Sequence, residues 1–179
     1  GQGWHSILAK TDGTLWGWGK AQDYGQIGNN ERIDRSSPVQ IGSRTDWKLG
    51  GTIREGSFAV RTDGTLWTWG SNGYGFGGHN NRTFYSSPTQ VPGTTWNYVW
   101  GAHESLFAIK TDGTLWAWGR NGGGELGLNE GPGNEKSSPC QIGTATNWVS
   151  GSSSAEYGAN GAINTDGELW VWGNNQSGV

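Results

Sequence analysis

The stretch Thr11-Asp12-Gly13-Thr14-Leu15-Trp16-Gly17-Trp18-Gly19 returns three times: as TDGTLWTWG from Thr62, TDGTLWAWG from Thr111 and TDGELWVWG from Thr165. The copies start 51, 49 and 54 residues apart. Between them runs a second marker, SSPVQIG from Ser36, SSPTQVPG from Ser86 and SSPCQIG from Ser137. A third marker follows, a Trp at 47, 96 and 148. Three markers in fixed order identify a repeat architecture, in which no unit buries its own apolar faces and neighbours must stack. The order divides the chain into a partial first repeat (1–46), a second (47–95), a third (96–147) and a truncated fourth (148–179), together one repeat domain.

Each TDGT reads as a hairpin tip. Asp-Gly is the favoured pair for a two-residue type I′ turn, which assigns Asp12-Gly13, Asp63-Gly64, Asp112-Gly113 and Asp166-Gly167 to turns. That register sets Ala9 opposite Trp16 and Ile7 opposite Trp18, then Val60 and Phe58 opposite Trp67 and Trp69. It sets Ile109 and Phe107 opposite Trp116 and Trp118, and Ile163 and Gly161 opposite Trp170 and Trp172. Alternation along a strand then gives one bulky aromatic face and one face of smaller residues, such as Leu8 with Gly17 and Ala108 with Ala117. These eight Trp are the expected core, with Trp16, Trp67, Trp116 and Trp170 buried between sheets.

Large faces stacked on small ones around an axis make a β-propeller, whose blades are typically four-stranded. The short segments after Pro (Val39–Ile41, Thr89–Val91, Cys140–Ile142) suit outer edges, and the Trp-led segments are placed innermost. No stretch sustains a helical period, so the chain is expected to be all-β. Two strands per hairpin, three SSP strands and three Trp-led strands give 14, or about 3.5 blades of four antiparallel strands. Such a run is expected not to close alone. Either a longer parent polypeptide completes the ring or a second copy does, 28 strands matching seven blades.

Composition sets bounds on function. Of 179 residues 34 are Gly and 13 are Trp, Met is absent, and the net charge is −3 with 12 scattered Lys and Arg. Nucleic-acid binders need clustered basic charge, so no nucleic-acid partner is expected. No apolar run approaches the ~20 residues of a membrane helix, so no membrane insertion is expected. The single cysteine, Cys140, excludes an internal disulfide. It shares a repeat position with Val39 and Thr89 and reads as a half-buried strand residue.

The order of strand, TDGTLWxWG, a GxLG-like loop (GQIG from Gly25, GFGG from Gly75, GELG from Gly124), SSPxQIG, Trp and Gly resembles the regulator-of-chromosome-condensation repeat across essentially the whole chain. The resemblance implies blades of a propeller that has seven when complete. Its best-known member is a guanine-nucleotide exchange factor, an activity that depends on loops of one whole propeller. The Gly/Asn/Thr/Trp-rich style is also similar to copies in bacterial and phage surface or virion proteins.

Motifs that elsewhere carry chemistry have plainer readings here. Gly73–Gly78 and Gly122–Gly127 satisfy GxGxxG, but a dinucleotide site needs a helix after the motif. Asp12, Asp63, Asp112 and Asp166 are turn residues, and four equivalent tips do not split carboxylate pKa values as paired catalytic acids do. Glu55 and Glu104 align at loop ends. His5, His79 and His103 lack metal-ligand spacing. No catalytic residue, metal or cofactor is expected, and the chain is not read as an enzyme. Asn81-Arg82-Thr83 and Asn175-Gln176-Ser177 match the glycosylation sequon, which matters only in a secreted eukaryotic protein.

The aromatics outside the repeat positions, Tyr24, Tyr74, Phe84 and Tyr85, lie in the long connections with Arg32, Arg35 and Arg82 nearby. Such loops are where a rigid scaffold places binding residues. The function expected from the sequence is a non-enzymatic structural or adhesive module at a virion or cell surface, contacting other protein chains. The alternatives are a regulatory propeller of the exchange-factor type and a lectin that meets a surface glycan through its loop aromatics.

Overall fold

The computed structural model describes residues 4–154 and 158–174. They form β1 (His5–Ala9), β2 (Leu15–Gly19), β3 (Arg35–Gln40), β4 (Trp47–Thr52), β5 (Gly56–Arg61), β6 (Leu66–Gly70) and β7 (Tyr85–Gln90). There follow β8 (Trp96–Ala102), β9 (Ser105–Lys110), β10 (Leu115–Gly119), β11 (Lys136–Gln141), β12 (Trp148–Ser153), β13 (Ala159–Asn164) and β14 (Leu169–Gly173). Each strand pairs with its sequence neighbour in four antiparallel meanders: β1-β2-β3, β4-β5-β6-β7, β8-β9-β10-β11 and β12-β13-β14. These are propeller blades, two of four strands and two of three. The Trp-led strands meet one another at the inner side, where the Ser153 hydroxyl donates to Gly101 O (2.8 Å) and the Tyr98 hydroxyl to Gly151 O (3.2 Å). The SSP strands form the outer edges.

The hairpin register differs from the sequence expectation by one residue. Leu8 pairs with Trp16 and Ser6 with Trp18; Ala59 pairs with Trp67, and Ala108 with Trp116. The loop has three residues: Gly13 N–H donates to Lys10 O and Lys10 N–H to Thr14 O. Only the Gly of each tip takes positive φ, near +78° in all four copies. A type I′ turn would force Asp into that region too, at a cost L-residues avoid. Asp12 instead accepts from the Thr14 amide (3.0 Å) and hydroxyl (2.6 Å), and the Trp16 indole donates to the same hydroxyl (2.8 Å). The relay repeats at Asp63-Thr65-Trp67 and at Asp112-Thr114-Trp116. In the fourth copy Glu168 replaces Thr, and Asn164 Oδ1 caps the turn in place of Asp166.

A one-residue slip exchanges the faces. Each sheet face therefore mixes large and small residues: Trp67 and Trp69 with Ala59 and Ser57, and Phe58 and Leu66 with Thr68 and Val60. The expectation for the first Trp of each pair is corrected accordingly. Trp16, Trp67 and Trp116 are half-buried, tied by the indole to the hairpin tip, and Trp170 is 56 % exposed. The second Trp is the interior one in the complete blades, Trp69 at 1 % and Trp118 at 0 %, while Trp18 and Trp172 are half-buried.

The outer strands also start earlier than expected. Gly17 pairs with Val39 and Gly19 with Arg35, so Ser36-Ser37-Pro38 forms a bulge over Trp18, repeated in the next two blades. A bulge removes the ladder bond that Pro lacks.

Three clusters form the core, each between adjacent blades. Ile7, Leu15 and Ile41 meet Trp47, Ala59 and Trp69; Phe58, Val60 and Leu66 meet Leu106, Ala108 and Trp118; Phe107, Ile109 and Leu115 meet Ala162 and Trp172. Polar clamps register these contacts. In the second, third and fourth blades the second Trp donates its indole N–H to the loop of the blade before: Trp69 to Gln26 O (2.8 Å), Trp118 to Phe76 O (2.6 Å) and Trp172 to Glu125 O (2.9 Å). The last Gly of each GxxG loop lies on that indole. A Cβ on Gly78 (φ +74°) would sit 2.9 Å from Trp118 Nε1, which explains why the motif ends in Gly. At the opposite end each inter-blade link is pinned to two tips: Trp47 N–H bonds Gly13 O, and Thr62 N–H bonds Asp46 O.

Strand bookkeeping revises the two-copy ring. Each copy carries sheets of three, four, four and three strands, so two copies present eight sheets and not seven four-stranded ones. Among the described residues the first sheet has no inner strand and the fourth no outer one, and these two open positions do not fill each other.

Candidate protein-binding face

Consecutive antiparallel strands reverse direction, so the β4–β5 and β6–β7 connections emerge on one side of the blade stack and the hairpin tips on the other. The first side carries the long connections 20–34, 71–84 and 120–135 and the inner turns at 53–55 and 103–104. Side-chain bonds to backbone hold these loops. Asp34 Oδ1 accepts from the amides of Ala21 (2.7 Å) and Gln22 (3.0 Å), which holds its carboxyl below the usual carboxylate range. In the second loop buried Asn72 accepts from Gly77 N–H (2.7 Å) and donates to Asn81 O and Thr83 O (3.1 Å each). In the third, Asn121 accepts from Leu126 N–H (3.1 Å). Asn30 and Asn80, at φ +65° and +57°, donate backbone N–H to Ser86 O and Ser137 O on the next blade's outer strand.

On this scaffold the sequence-selected residues separate. Tyr24 packs edge-on against Phe84 of the next blade (centroids 5.1 Å apart), and Phe84 stays 40 % exposed. Tyr74 is 39 % exposed, with the Arg120 guanidinium 5.6 Å from its ring centroid. Arg82 is exposed and lies 3.7 Å from Glu135 of the following blade. Arg32 is exposed. Two of the set are structural: Arg35 is ion-paired with Glu31, and Tyr85 lies within β7, edge-on to His79 (5.2 Å) and bonded through its hydroxyl to Asn81 (3.4 Å). Burial lowers the His79 pKa below the ordinary value.

Sequence reasoning missed Ile33, 56 % exposed beside Arg32, and a group on the inner turns. Arg54 and Arg120 each approach a different ring nitrogen of His103 at 3.3 Å, and Glu104 lies 3.3 Å from its Nδ1. Arg120 could not be found from spacing, because its role depends on Tyr74 of the preceding blade.

The hairpin side is different: among the described residues its tips and inter-blade links present no exposed large apolar side chain. Charge pairs occur on both sides, Lys10 with Asp12 (2.8 Å) and Arg61 with Asp46 and Asp63 at the tips, Lys136 with Glu130 (2.7 Å) on the long loops. Among the described residues no three His, Cys, Asp or Glu side chains group as metal ligands. Burial raises the pKa of the half-buried Cys140 thiol. The second sequon, at Asn175, lies outside the described residues.

Residues 12–48 and 112–159 match the model of the regulator of chromosome condensation (RCC1) repeat. The chain is a run of RCC1 repeats. The probable E3 ubiquitin-protein ligase HERC4 of Homo sapiens is 31% identical to this RCC1-repeat chain over 91 residues, 50% of the chain and 8% of that protein. The X-linked retinitis pigmentosa GTPase regulator homolog of Caenorhabditis elegans is 33% identical over 73 residues, 40% of the chain and 5% of that protein. Among solved structures Prp20p of Saccharomyces cerevisiae superposes with a TM-score of 0.81 at 16% identity, over 94% of this chain and 41% of that one. The RCC1 repeats here thus span a small part of the curated relatives and less than half of the solved propeller.

Proposed function

We propose that this chain is a protein-binding part of an RCC1-type regulatory propeller, acting without catalysis, and that it engages its partner through the long-loop side. The observation that carries this reading is the asymmetry between the two sides. Tyr74, Phe84, Ile33, Arg32 and Arg82 stand exposed on loops held by side-chain bonds from Asp34 and from buried Asn72, whereas the described hairpin tips and inter-blade links present no exposed large apolar side chain. Exposed aromatics and Arg on a preorganised surface are the residue types that dominate protein interfaces. The regulatory reading is favoured over a virion or surface adhesin because the matched relatives are a ubiquitin ligase and a GTPase-regulator homolog. No observation favours a lectin.

Prp20p was crystallised in work on its binding to Gsp1p and histones, which supplies two probes. Calorimetric titration of this chain with purified Gsp1p and, separately, with histones is expected to give saturable binding to one of them. Tyr74→Ala, Phe84→Ala and Arg82→Ala should each weaken it about tenfold, the scale of an interface hot spot, while Asp112→Asn at a hairpin tip should leave it unchanged. Binding of neither probe, or equal losses on the two sides, would defeat the proposal.

A further inference from the structure

The inner turns of the second and third blades carry an inference that the loop aromatics do not. Arg54, between β4 and β5, and His103, between β8 and β9, hold the same place in successive blades. Arg54 N–H donates to His103 O (3.0 Å) and ties the two turns together. Arg120, just after β10, donates its backbone N–H to Glu104 O (3.1 Å), and its guanidinium lies 5.6 Å from the Tyr74 ring centroid. Both guanidinium groups converge on one imidazole. Arg54 Nη1 is 3.3 Å from His103 Nε2, and Arg120 Nη1 is 3.3 Å from Nδ1.

This arrangement is short of an acceptor. A neutral imidazole has one acceptor nitrogen, and an imidazolium has none. Whichever protonation state the ring takes, at least one guanidinium faces it without an acceptor there. Other arginines find carboxylates: Arg35 pairs with Glu31, and Arg61 with Asp46 and Asp63. Among the described residues no carboxylate reaches ion-pair distance of Arg54 or Arg120. Two carboxylates are near. Glu104 lies against His103 Nδ1 (3.3 Å), and Glu55 lines with Glu104 and Tyr74 a crevice over Ile53 and Phe76. A second observation is backbone strain. His103 has φ +31°, a region that non-Gly residues hold only where the surroundings enforce it, commonly at ligand sites. Arg54 is exposed, and His103 and Arg120 are half-buried, so the group is both held in place and open to solvent.

We propose that Arg54, His103 and Arg120 form a site for one oxyanion, the carboxylate or phosphoryl group of a partner protein's side chain. The anion supplies the acceptor that the ring cannot, and it neutralises two like charges gathered on one ring. Guanidinium groups meet carboxylates and phosphates through paired N–H donors. The site stands on this geometry alone; its assignment to a protein partner rests on the function proposed above.

The test titrates the nitrogen-15-labelled chain with inorganic phosphate at constant ionic strength and follows the side-chain Nε resonances of Arg54 and Arg120 by NMR. Saturable shifts at both are expected. Arg54→Gln and Arg120→Gln should each weaken binding about tenfold, the scale of one charge-assisted hydrogen bond. Arg44→Gln, on the hairpin side, should leave it unchanged. Three acetylated, amidated peptides then name the source: GQEQG carries a carboxylate, its central phosphoserine analogue a phosphoryl group, and GQQQG neither. Tighter binding of either charged peptide than of GQQQG identifies the group without touching the protein. No saturation by phosphate, shifts confined to other arginines, an equal loss in Arg44→Gln, or equal binding of all three peptides would overturn the proposal. Phosphate binding by a chain that binds neither Gsp1p nor histones would sustain the site while defeating the loop-face reading, so the two failures are read separately.

Discussion

Replacing Trp118 with Phe tests which Trp of each LWxWG holds the blades together. Trp118 is fully buried and its indole donates to Phe76 O at 2.6 Å. Phe keeps an aromatic ring there but deletes the donor and part of the volume. The lost volume of about 40 Å³, at about 24 cal/mol per Å³ of unfilled space, costs about 1 kcal/mol. A buried carbonyl left without its donor costs about 1–3 kcal/mol more. The expected loss is therefore about 2–4 kcal/mol. Trp116→Phe is the internal control, since that indole is half-buried and bonds Thr114 Oγ1 at the tip (2.8 Å). It should cost about 0.5–1.5 kcal/mol, the range of one replaceable hydrogen bond. Equilibrium urea unfolding reports both as shifts in midpoint at constant slope. A loss at Trp116 equal to or above that at Trp118 would refute the assignment of the second Trp as the inter-blade clamp.

Gly78→Ala, whose Cβ meets the Trp118 indole at 2.9 Å and Val91 at 3.1 Å with φ +74°, should destabilise clearly more than Gly143→Ala, where φ is +60° and no atom lies within 4 Å; the second change carries only the backbone term of about 1–2 kcal/mol, and thermal unfolding of both ranks them. Burial lowers the His5 pKa to about 4, so between pH 6.5 and about 4 the unfolded chain binds a proton that the folded chain refuses. Stability should then fall with decreasing pH across that window, by roughly 3 kcal/mol at most, and level off below it; urea midpoints for His5→Gln should show a shallower fall. Thr65→Val breaks the Asp63–Thr65–Trp67 relay and should cost about 0.5–1.5 kcal/mol in a urea midpoint.

Much of the fold is legible in the repeats, because each marker has a mechanical task. Thr-Asp-Gly-Thr closes a hairpin, the second Trp reaches into the preceding blade, and the GxxG loop receives it. Fourteen strands and their inner and outer placement follow from counting those markers. The register does not, since a two-residue and a three-residue loop fit Thr-Asp-Gly-Thr equally well on paper. Only the Asp12–Thr14–Trp16 relay, a three-dimensional arrangement, decides between them. The same slip made Trp116 look like core and hid the special place of Trp118. The loop face was partly visible because Tyr74 and Phe84 depart from the repeat. Arg35 and Tyr85 depart from it as well, yet serve their own strand and loop, and composition does not separate the two cases. Arg120 and His103 are assembled across blades, where linear spacing carries no signal.

Exchange of the indole protons, followed one Trp at a time by NMR, tests the stacked-blade account most directly. Trp69 and Trp118, buried and bonded to the preceding blade, should exchange slowest. Trp170, exposed on the fourth sheet, should exchange much faster, and Trp116, bonded at a hairpin tip, should fall between them. Exchange of Trp118 as fast as that of Trp170 would contradict the account.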